Sequence, residues 1–440
     1  NNYNDFDKLN IKCTNLGRKN QKINRESNNV IIVSKQKLGW NNSDKSQNDD
    51  IELQNITTAF ALEPPIKLDL VFLDEAHFGM TTNTAKTILN EINKLCGNAP
   101  KVFVTATYKK PLDVYNINKD EAKLTWDIND INIMKKIDTI KDSENEIKKR
   151  FGTIYDETLK NYSLPELKKI YSFFPEPYLI TSVWDYKYLK QEKMKIGATD
   201  YGFDMEKLFT VNKDRNNDYT NEFSNRESVV NILRYYFGYP DKSQHYENQH
   251  IVRHRGILPR IKRICENRCR TMQMKNKPTT QLWFLPYGQQ RPIKNVVNAL
   301  LKIINGEDNM FNYVKNNYYF FVALDEKNSP KYDNVVYYNK SSKKSIKDQI
   351  IELEDNIKKG ESIEQNNLII LAGARLQLGI SLRNVDIVTL WNNISSTDAI
   401  FQMLFRSMTE VDSTECLEGE YCDNKKFGFM VDLNPQRALT

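Results

Sequence analysis

The 440-residue chain has little of what marks secreted or membrane proteins. It contains six cysteines, thinly spread, and shows no secretory signal. No apolar run approaches the roughly 20 residues that cross a bilayer. These absences make a reducing, intracellular compartment the default and give no reason to expect a membrane partner.

The composition is that of a globular protein. Hydrophobic residues make up 40% of the chain and charged residues 27%, which allows two or three separate cores. The formal net charge is +6. This mild excess permits nucleic-acid binding without requiring it.

The most informative stretch is an apolar run at residues 68–73 that ends in two acids, Asp74 and Glu75. Such a run predicts a buried strand of a parallel sheet. Acids at its carboxyl end lie where open α/β sheets bind ligands, and Mg²⁺ beside a nucleotide phosphate is the usual partner of such carboxylates. The alternative is an ordinary strand that runs into an acidic turn.

Strand and helix patterns alternate in two regions, which predicts an α/β fold with parallel sheets. In the first region, strands at 68–73 and 101–105 flank a helix at 83–95. In the second region, strands are predicted at 281–286, 318–324, 334–338, 367–372, 385–390 and 427–433, with helices at 293–304, 345–358 and 397–407. We therefore expect three parts, namely a first sheet domain at 1–140, a mainly helical insertion at 141–275 and a second sheet domain at 276–440.

Three further elements follow strands in the same order along the chain. Thr105 and Thr107 place two hydroxyls at a strand end, where a simple turn is the alternative. Gly373 and Gly379 allow a ligand to approach the backbone closely. Gln402 and Arg406 are four residues apart and are expected on one helix face, from which an arginine can stabilise charge on a γ-phosphate.

Together these elements resemble motifs II, III, V and VI of superfamily-2 helicases of the DEAH type. The matching segments are D-E-A-H at 74–77, T-A-T at 105–107, G-I-S-L at 379–382 and Q-M-L-F-R-S at 402–407. The segments W-D-I-N-D-I at 126–131 and Q-L-W-F-L-P at 281–286 are similar to helicase-like proteins of nucleocytoplasmic large DNA viruses. If the chain is viral, the resemblance places it in the host cytoplasm, a viral factory or the virion.

The resemblance implies two RecA-like domains that use ATP and Mg²⁺ to move along or unwind DNA or RNA. Asp74 would handle Mg²⁺, and Glu75 would polarise the attacking water. The nucleotide would also contact Gly373, Gly379, Ser381, Gln402 and Arg406. His77, Thr105 and Thr107 would couple the nucleotide site to nucleic acid.

The chain departs from the family pattern at three points. No G-x-x-x-x-G-K-[ST] phosphate loop occurs in the 440 residues, so we expect that loop upstream of Asn1 and expect this chain alone to be inactive. Gly373 stands where motif V usually begins with threonine, and Thr409 stands where motif VI usually has a second arginine. A non-catalytic nucleic-acid-binding remnant and a duplex translocase of the restriction or remodelling type are therefore the alternatives.

A basic segment precedes the second sheet region. It predicts contacts with nucleic-acid phosphates, the alternative being a solvated helix face, and its candidate residues are Arg253, Arg255, Arg260, Lys262 and Arg263. The same segment holds His250, His254, Cys265 and Cys269. Their types suit tetrahedral zinc, but the spacing matches no common zinc module, so chance is the alternative.

Overall fold

The structure is a computed structural model. It describes residues 11–15, 28–32, 68–73, 99–105, 124–137, 142–181, 205–238, 256–268, 279–289, 291–306, 311–325, 329–359, 367–373, 376, 381–409, 425, 427–434 and 437. The chain divides into two compact units, Asn1–Thr125 and Trp126–Thr440.

The first unit contains two pairs of parallel strands. Strand β1 (Ile11–Asn15) pairs with β2 (Asn28–Ile32), and β3 (Val71–Leu73) pairs with β4 (Lys101–Phe103). The polar composition of the first thirty residues predicts loop, and this is wrong for β1. Pairing with β2 gives the β1 backbone its hydrogen bonds, which composition alone does not reveal.

The β3–β4 pair is parallel, as predicted, but it is not buried on both faces. Leu73 is 7% exposed, whereas Phe72 is 64% exposed and Val102 of β4 is 39% exposed. Burial therefore alternates along β3, as in a sheet that is covered on one face. The apolar run at 68–73 wrongly predicts burial of Phe72, because hydrophobicity does not show which face is covered.

The second unit begins with a small helical module. Its helices are α1 (Ile128–Met134), α2 (Ser143–Phe151), α3 (Thr153–Asn161) and α4 (Leu164–Ser172). Asp127 caps α1 and Ser163 caps α4, each through a reciprocal capping box with the third residue of the helix. The module has a core of its own, built from Met134, Ile137, Ile147, Tyr155 and Leu167.

A parallel sheet of seven strands forms the centre of the second unit. In spatial order the strands are β10 (Val335–Tyr338), β9 (Tyr318–Asp325), β11 (Asn367–Ala372), β8 (Thr280–Phe284), β12 (Val385–Leu390), β13 (Phe427–Asp432) and β5 (Glu176–Thr181). Every neighbouring pair is parallel. This sheet confirms the predicted α/β class.

Helices cover both faces of the sheet. One face packs against α5 (Met205–Leu208), the hairpin of β6 (Val211–Lys213) and β7 (Tyr219–Phe223), α6 (Arg226–Phe237), α7 (Ile257–Arg268), α8 (Ile293–Ile304) and α9 (Asn312–Asn317). The other face packs against α10 (Ile346–Lys359) and α11 (Thr397–Leu404), which is followed by a 3₁₀ helix (Phe405–Met408). Strand β8 contributes side chains to the hydrophobic cores on both faces of the sheet, because Trp283 lies in one core and Phe284 in the other.

The segment 141–275 contributes directly to this sheet. Its strand β5 pairs with β13 over six residues and forms one edge of the sheet. Pro177 lies within β5, and a proline is tolerated there because an edge strand has one unpaired side. The helices and hairpin of the same segment pack on the sheet face, and the compact units divide at Thr125 and Trp126.

None of the helices in the described ranges is both long and apolar enough to span a bilayer.

Candidate functional site

In the first unit, the carboxyl ends of two strands lie side by side. Leu73 at the end of β3 pairs with Phe103, and the backbone N–H of Val104 donates to the Leu73 carbonyl at 3.0 Å. Thr105 follows and is half-buried. The strand that leads into the acidic pair therefore ends next to the strand that leads into the threonines. The remaining predicted residues of this edge, Asp74, Glu75, His77 and Thr107, lie outside the described residues.

In the second unit, Gly373 follows β11 and is buried. A Cβ at this position would lie 3.1 and 3.3 Å from side-chain carbons of Ile293 and 3.6 Å from the ring of Tyr287. The space over Gly373 is thus filled by the first turn of α8 and the loop after β8. The glycine permits that close packing, and its predicted contact with a nucleotide stays a prediction.

The loop between β11 and β12 is anchored by an apolar side chain. Leu376 has a φ of 71°, in the left-handed region, and its side chain is 4% exposed. Burial holds this residue in a backbone conformation that leucine rarely adopts. Ser381, at the end of the loop, is exposed, and Gly379 lies outside the described residues.

Gln402 and Arg406 lie on two different kinds of helix. The α-helix α11, capped by the Ser396 side chain, ends at Leu404, and Arg406 belongs to the 3₁₀ turn that follows. The prediction of a single α-helix through residue 407 is therefore wrong at its end. Both side chains are half-buried.

The 3₁₀ turn packs directly on the backbone of strand β13. A Cβ on Gly428 would lie 2.5 Å from the carbonyl oxygen of Ser407 and 2.7 Å from the Met408 sulfur. Ser407 is fully buried, and its hydroxyl donates to the Leu404 carbonyl at 3.0 Å. Gly428 therefore fixes the height of the turn, and with it the position of the Arg406 backbone, above the sheet.

A buried lysine ties the end of the turn to the start of β12. Lys425 is 4% exposed, and its ammonium group donates to the carbonyls of Val385, Thr409 and Arg383. Three carbonyl acceptors satisfy the three donors of an ammonium group. The turn that carries Arg406 therefore packs on Gly428 of β13, and the Thr409 carbonyl at its end is tied to β12 through Lys425.

The sequence patterns did not single out an ion pair at the carboxyl ends of β12 and β13. The Arg437 guanidinium donates to both carboxylate oxygens of Asp432 at 2.7 Å. It also donates to the carbonyl of Asn392 at 2.7 Å and that of Ile394 at 3.1 Å. Both charged side chains are nearly buried, so the pair fastens the loop after β12 to the end of β13.

The basic segment has the geometry of an amphipathic helix. In α7, Ile257, Ile261 and Cys265 are spaced by four residues and are buried at 3%, 6% and 5% exposure. Arg260, Lys262 and Arg263 are exposed, so three of the five predicted phosphate-binding residues share a solvent face. Arg253 and Arg255 lie outside the described residues.

Helix α7 also contains Cys265, one of the four candidate zinc ligands. Cys265 belongs to the hydrophobic core cluster, so its side chain has a packing role. His250, His254 and Cys269 lie outside the described residues. Within the ranges that the structure describes, no three His, Cys, Asp or Glu side chains are grouped as metal ligands.

A polar group deep in the sheet joins α6 to two strands. The Tyr236 hydroxyl is 2.9 Å from Gln281 Oε1 and 2.7 Å from the Thr389 hydroxyl, while Trp283 Nε1 donates to Gln281 Oε1 at 3.1 Å. Burial raises the pKa of the Tyr236 phenol well above its usual value of 10.0. These fully buried partners fix the register of α6 on the sheet and so place α7, which follows it.

The described residues fit the γ-phosphate side of an ATP site by donor chemistry. Arg406 and Gln402 supply guanidinium and amide donors from one short stretch, and such donors suit phosphate oxygens. The carboxylates expected to hold Mg²⁺, at Asp74 and Glu75, are outside the described residues.

Comparison with known proteins leaves the family open. No family model matches the chain, and no curated protein matches it. Among solved structures, the chain is similar to an ATP-dependent Type ISP restriction-modification enzyme, LlaBIII, bound to DNA, with a TM-score of 0.38 and 11% identity over 96% of this chain and 22% of that enzyme. It is also similar to the C-terminal part of the Fun30 ATPase domain, with a TM-score of 0.22 and 11% identity over 69% of this chain and 78% of that one. The chain thus corresponds to less than a quarter of the restriction enzyme's length, and neither likeness identifies its function.

Proposed function

We propose that the chain is the motor part of a superfamily-2, DEAH-type nucleic-acid helicase or translocase with two RecA-like halves. The observation that carries the proposal is the placement of Arg406. It follows β12 in the seven-stranded parallel sheet, on a turn that Gly428 and Lys425 hold in place. An arginine in a supported position suits the stabilisation of charge on a transferring phosphate.

The first unit supports the same proposal through its strand ends. β3 and β4 end side by side, so the acidic pair and the threonines both follow the same edge of a parallel pair. In an open α/β sheet this edge is where ligands bind. Asp74 would hold Mg²⁺ there, and Glu75 would orient and polarise water.

When bound, ATP with Mg²⁺ would supply the free energy of phosphate-bond hydrolysis. The residues of this chain would bind and orient it, with Gln402 and Arg406 donating hydrogen bonds to the γ-phosphate side. Because the 440 residues contain no phosphate loop, we propose that hydrolysis needs a loop from outside them. Nucleic acid would contact the basic face of α7 through Arg260, Lys262 and Arg263. An intracellular or virus-associated location belongs to the same proposal.

The test is nucleic-acid-stimulated ATP hydrolysis by the full protein, comparing wild type with Arg406→Ala. Loss of an arginine that stabilises the transferring phosphate lowers kcat by about 10³-fold or more. The matched control is Arg215→Ala in the exposed turn of the β6–β7 hairpin, which leaves the rate unchanged. An Arg406→Ala variant that folds and hydrolyses ATP at the wild-type rate would remove Arg406 from the site.

A non-catalytic nucleic-acid-binding remnant is the second candidate, favoured by Thr409. At the position of the usual second arginine, its hydroxyl donates to the Arg406 carbonyl at 3.3 Å. This hydroxyl has no charge to offer a phosphate. Under this alternative the full protein binds nucleic acid but shows no ATP hydrolysis above background, whichever nucleic acid is added.

A further inference from the structure

The helical module at the start of the second unit carries a strip of four partly exposed aromatic rings. Trp126 lies 5.0 Å from Phe151 and 5.6 Å from Tyr171, measured between ring centroids, and Tyr171 stacks on Phe174 at 6.0 Å. We call Trp126, Phe151, Tyr171 and Phe174 the aromatic strip. Three elements converge to build it, namely the residues before α1, the end of α2, and α4 with the turn after it.

The strip borders the module's core. Phe151 and Tyr171 are half-buried and pack against the five buried side chains of that core, whereas Phe174 is half-buried and Trp126 is 42% exposed. A large indole left at the surface beside three partly exposed rings offers flat π-faces to a ligand. Stacking on such faces is how proteins bind unpaired bases without regard to sequence.

Basic side chains flank the rings. Lys148 lies three residues before Phe151 on α2, and Lys168 lies three residues before Tyr171 on α4, so each shares a helix face with its ring. Lys148 is 59% exposed and forms a surface ion pair with Asp156 at 3.5 Å. The Arg150 guanidinium carbon lies 5.5 Å from the centroid of Phe151, although Asp130 and Asp127 offset its charge.

The Phe174 end of the strip has two lysines and one nearby carboxylate, Glu176. Lys135 and Lys136 follow α1, and Lys136 is exposed. Burial lowers the pKa of Lys135, and the nearby Glu176 carboxylate, two residues after Phe174, opposes that shift. Lysines therefore occur beside the middle and at one end of the aromatic strip, as a phosphate backbone running past stacked bases requires.

We propose that the aromatic strip binds single-stranded nucleic acid, with an unpaired base stacked on Trp126 and phosphates beside the flanking lysines. This goes beyond the motor function, because the module lies outside the seven-stranded sheet and uses none of the residues assigned to ATP. It also differs from the α7 surface, because that helix has basic residues but no aromatic ring and would bind duplex and single strands alike.

The test is the affinity of the full protein for a labelled oligothymidylate and for a duplex, measured by fluorescence anisotropy without ATP. Trp126→Ala should weaken single-strand binding about tenfold, the loss expected for one stacked base, and leave duplex binding unchanged. Trp126→Phe keeps a π-face and should retain most of the affinity. Tyr313→Ala removes an aromatic side chain that is 57% exposed on α9 and serves as the matched control.

Salt dependence supplies a second measurement. Lys168→Gln should reduce the slope of log affinity against log salt by about 0.7 for the single strand, as expected when one phosphate contact is lost. Thermal melting shows whether Trp126→Ala is folded. If it is not, Lys168→Gln still tests the proposal, because an unchanged salt slope in that variant would overturn it. The proposal is overturned if folded Trp126→Ala binds oligothymidylate like wild type, if single strand and duplex weaken equally, or if wild type does not bind oligothymidylate. Because ATP is absent, none of these outcomes depends on the motor proposal.

Discussion

Replacing Gly428 with alanine tests how the 3₁₀ turn Phe405–Met408, called here the arginine turn because it carries Arg406, is held above the sheet. The new methyl group would meet the Ser407 carbonyl oxygen at 2.5 Å and the Met408 sulfur at 2.7 Å. The oxygen belongs to the backbone of the 3₁₀ turn, so the turn itself must rise by most of an ångström. Gly428 has no left-handed φ, so alanine fits its own backbone and the effect comes from this contact alone.

The expected loss of stability follows from two opposing terms. Overpacking of a tight contact costs about 1–3 kcal/mol, and replacing glycine with alanine returns about 0.4–1 kcal/mol by restricting the unfolded chain. We expect Gly428→Ala to lower the free energy of unfolding by about 1–2 kcal/mol. If Arg406 stabilises the transferring phosphate as proposed, moving it by about 1 Å should lower the rate of ATP hydrolysis by about 10²-fold.

Two other glycines make a graded control series in urea denaturation. At Gly288 the nearest atom to a new Cβ is Arg291 Nη2 at 3.6 Å, an ordinary contact. At Gly373 the nearest atoms are flexible side-chain carbons of Ile293 at 3.1 and 3.3 Å. The predicted order of destabilisation is Gly428→Ala, then Gly373→Ala, then Gly288→Ala. Equal losses at all three positions, or an unchanged Gly428→Ala, would refute the reasoning.

Three further substitutions test the frame around the site. Arg437→Ala leaves Asp432 buried without its ion-pair partner and should cost about 3–5 kcal/mol in chemical denaturation; a loss below about 1 kcal/mol would show that the pair is not structural. Lys425→Met removes three hydrogen bonds to carbonyls and should both lower the melting temperature and slow ATP hydrolysis. An unchanged rate of hydrolysis would show that Lys425 does not position the arginine turn. Tyr236→Phe tests pH dependence, because the unfolded chain loses the tyrosine proton near pH 10 while the folded chain keeps it. Above pH 10 the free energy of unfolding of wild type should therefore fall more steeply than that of the variant, by up to about 1.4 kcal/mol per pH unit. Parallel pH profiles would contradict the burial of this phenol.

The strongly patterned elements of the second sheet were predictable from the sequence. The strands at 367–372 and 385–390 and the helix at 293–304 have the predicted bounds, because continuous apolar runs and helical spacing are local signals. The strand predicted at 318–324 is also confirmed, since β9 (Tyr318–Asp325) is largely buried and pairs on its two sides with β10 and β11. Such elements carry their pattern in their own residues.

The parts that were missed depend on contacts between distant residues. Strand β5 has two prolines around its start, and only its pairing with β13, some 250 residues later, makes it part of the sheet. Arg437 likewise donates to the Asn392 carbonyl, 45 residues away, and Lys425 to the Val385 carbonyl, 40 residues away. The shift to a 3₁₀ turn at Phe405 follows from close packing on Gly428, which the spacing of Gln402 and Arg406 cannot show.

The acidic pair gives the most direct test of the motor proposal. In the full protein, ATP hydrolysis stimulated by nucleic acid should be measured for wild type and for Glu75→Gln, which keeps the side-chain shape and removes the charge proposed to polarise water. The proposal predicts stimulated hydrolysis in wild type and a loss of about 10²-fold or more in the variant, with nucleic-acid binding retained. Equal rates in the two proteins, or no stimulated hydrolysis in wild type, would contradict it.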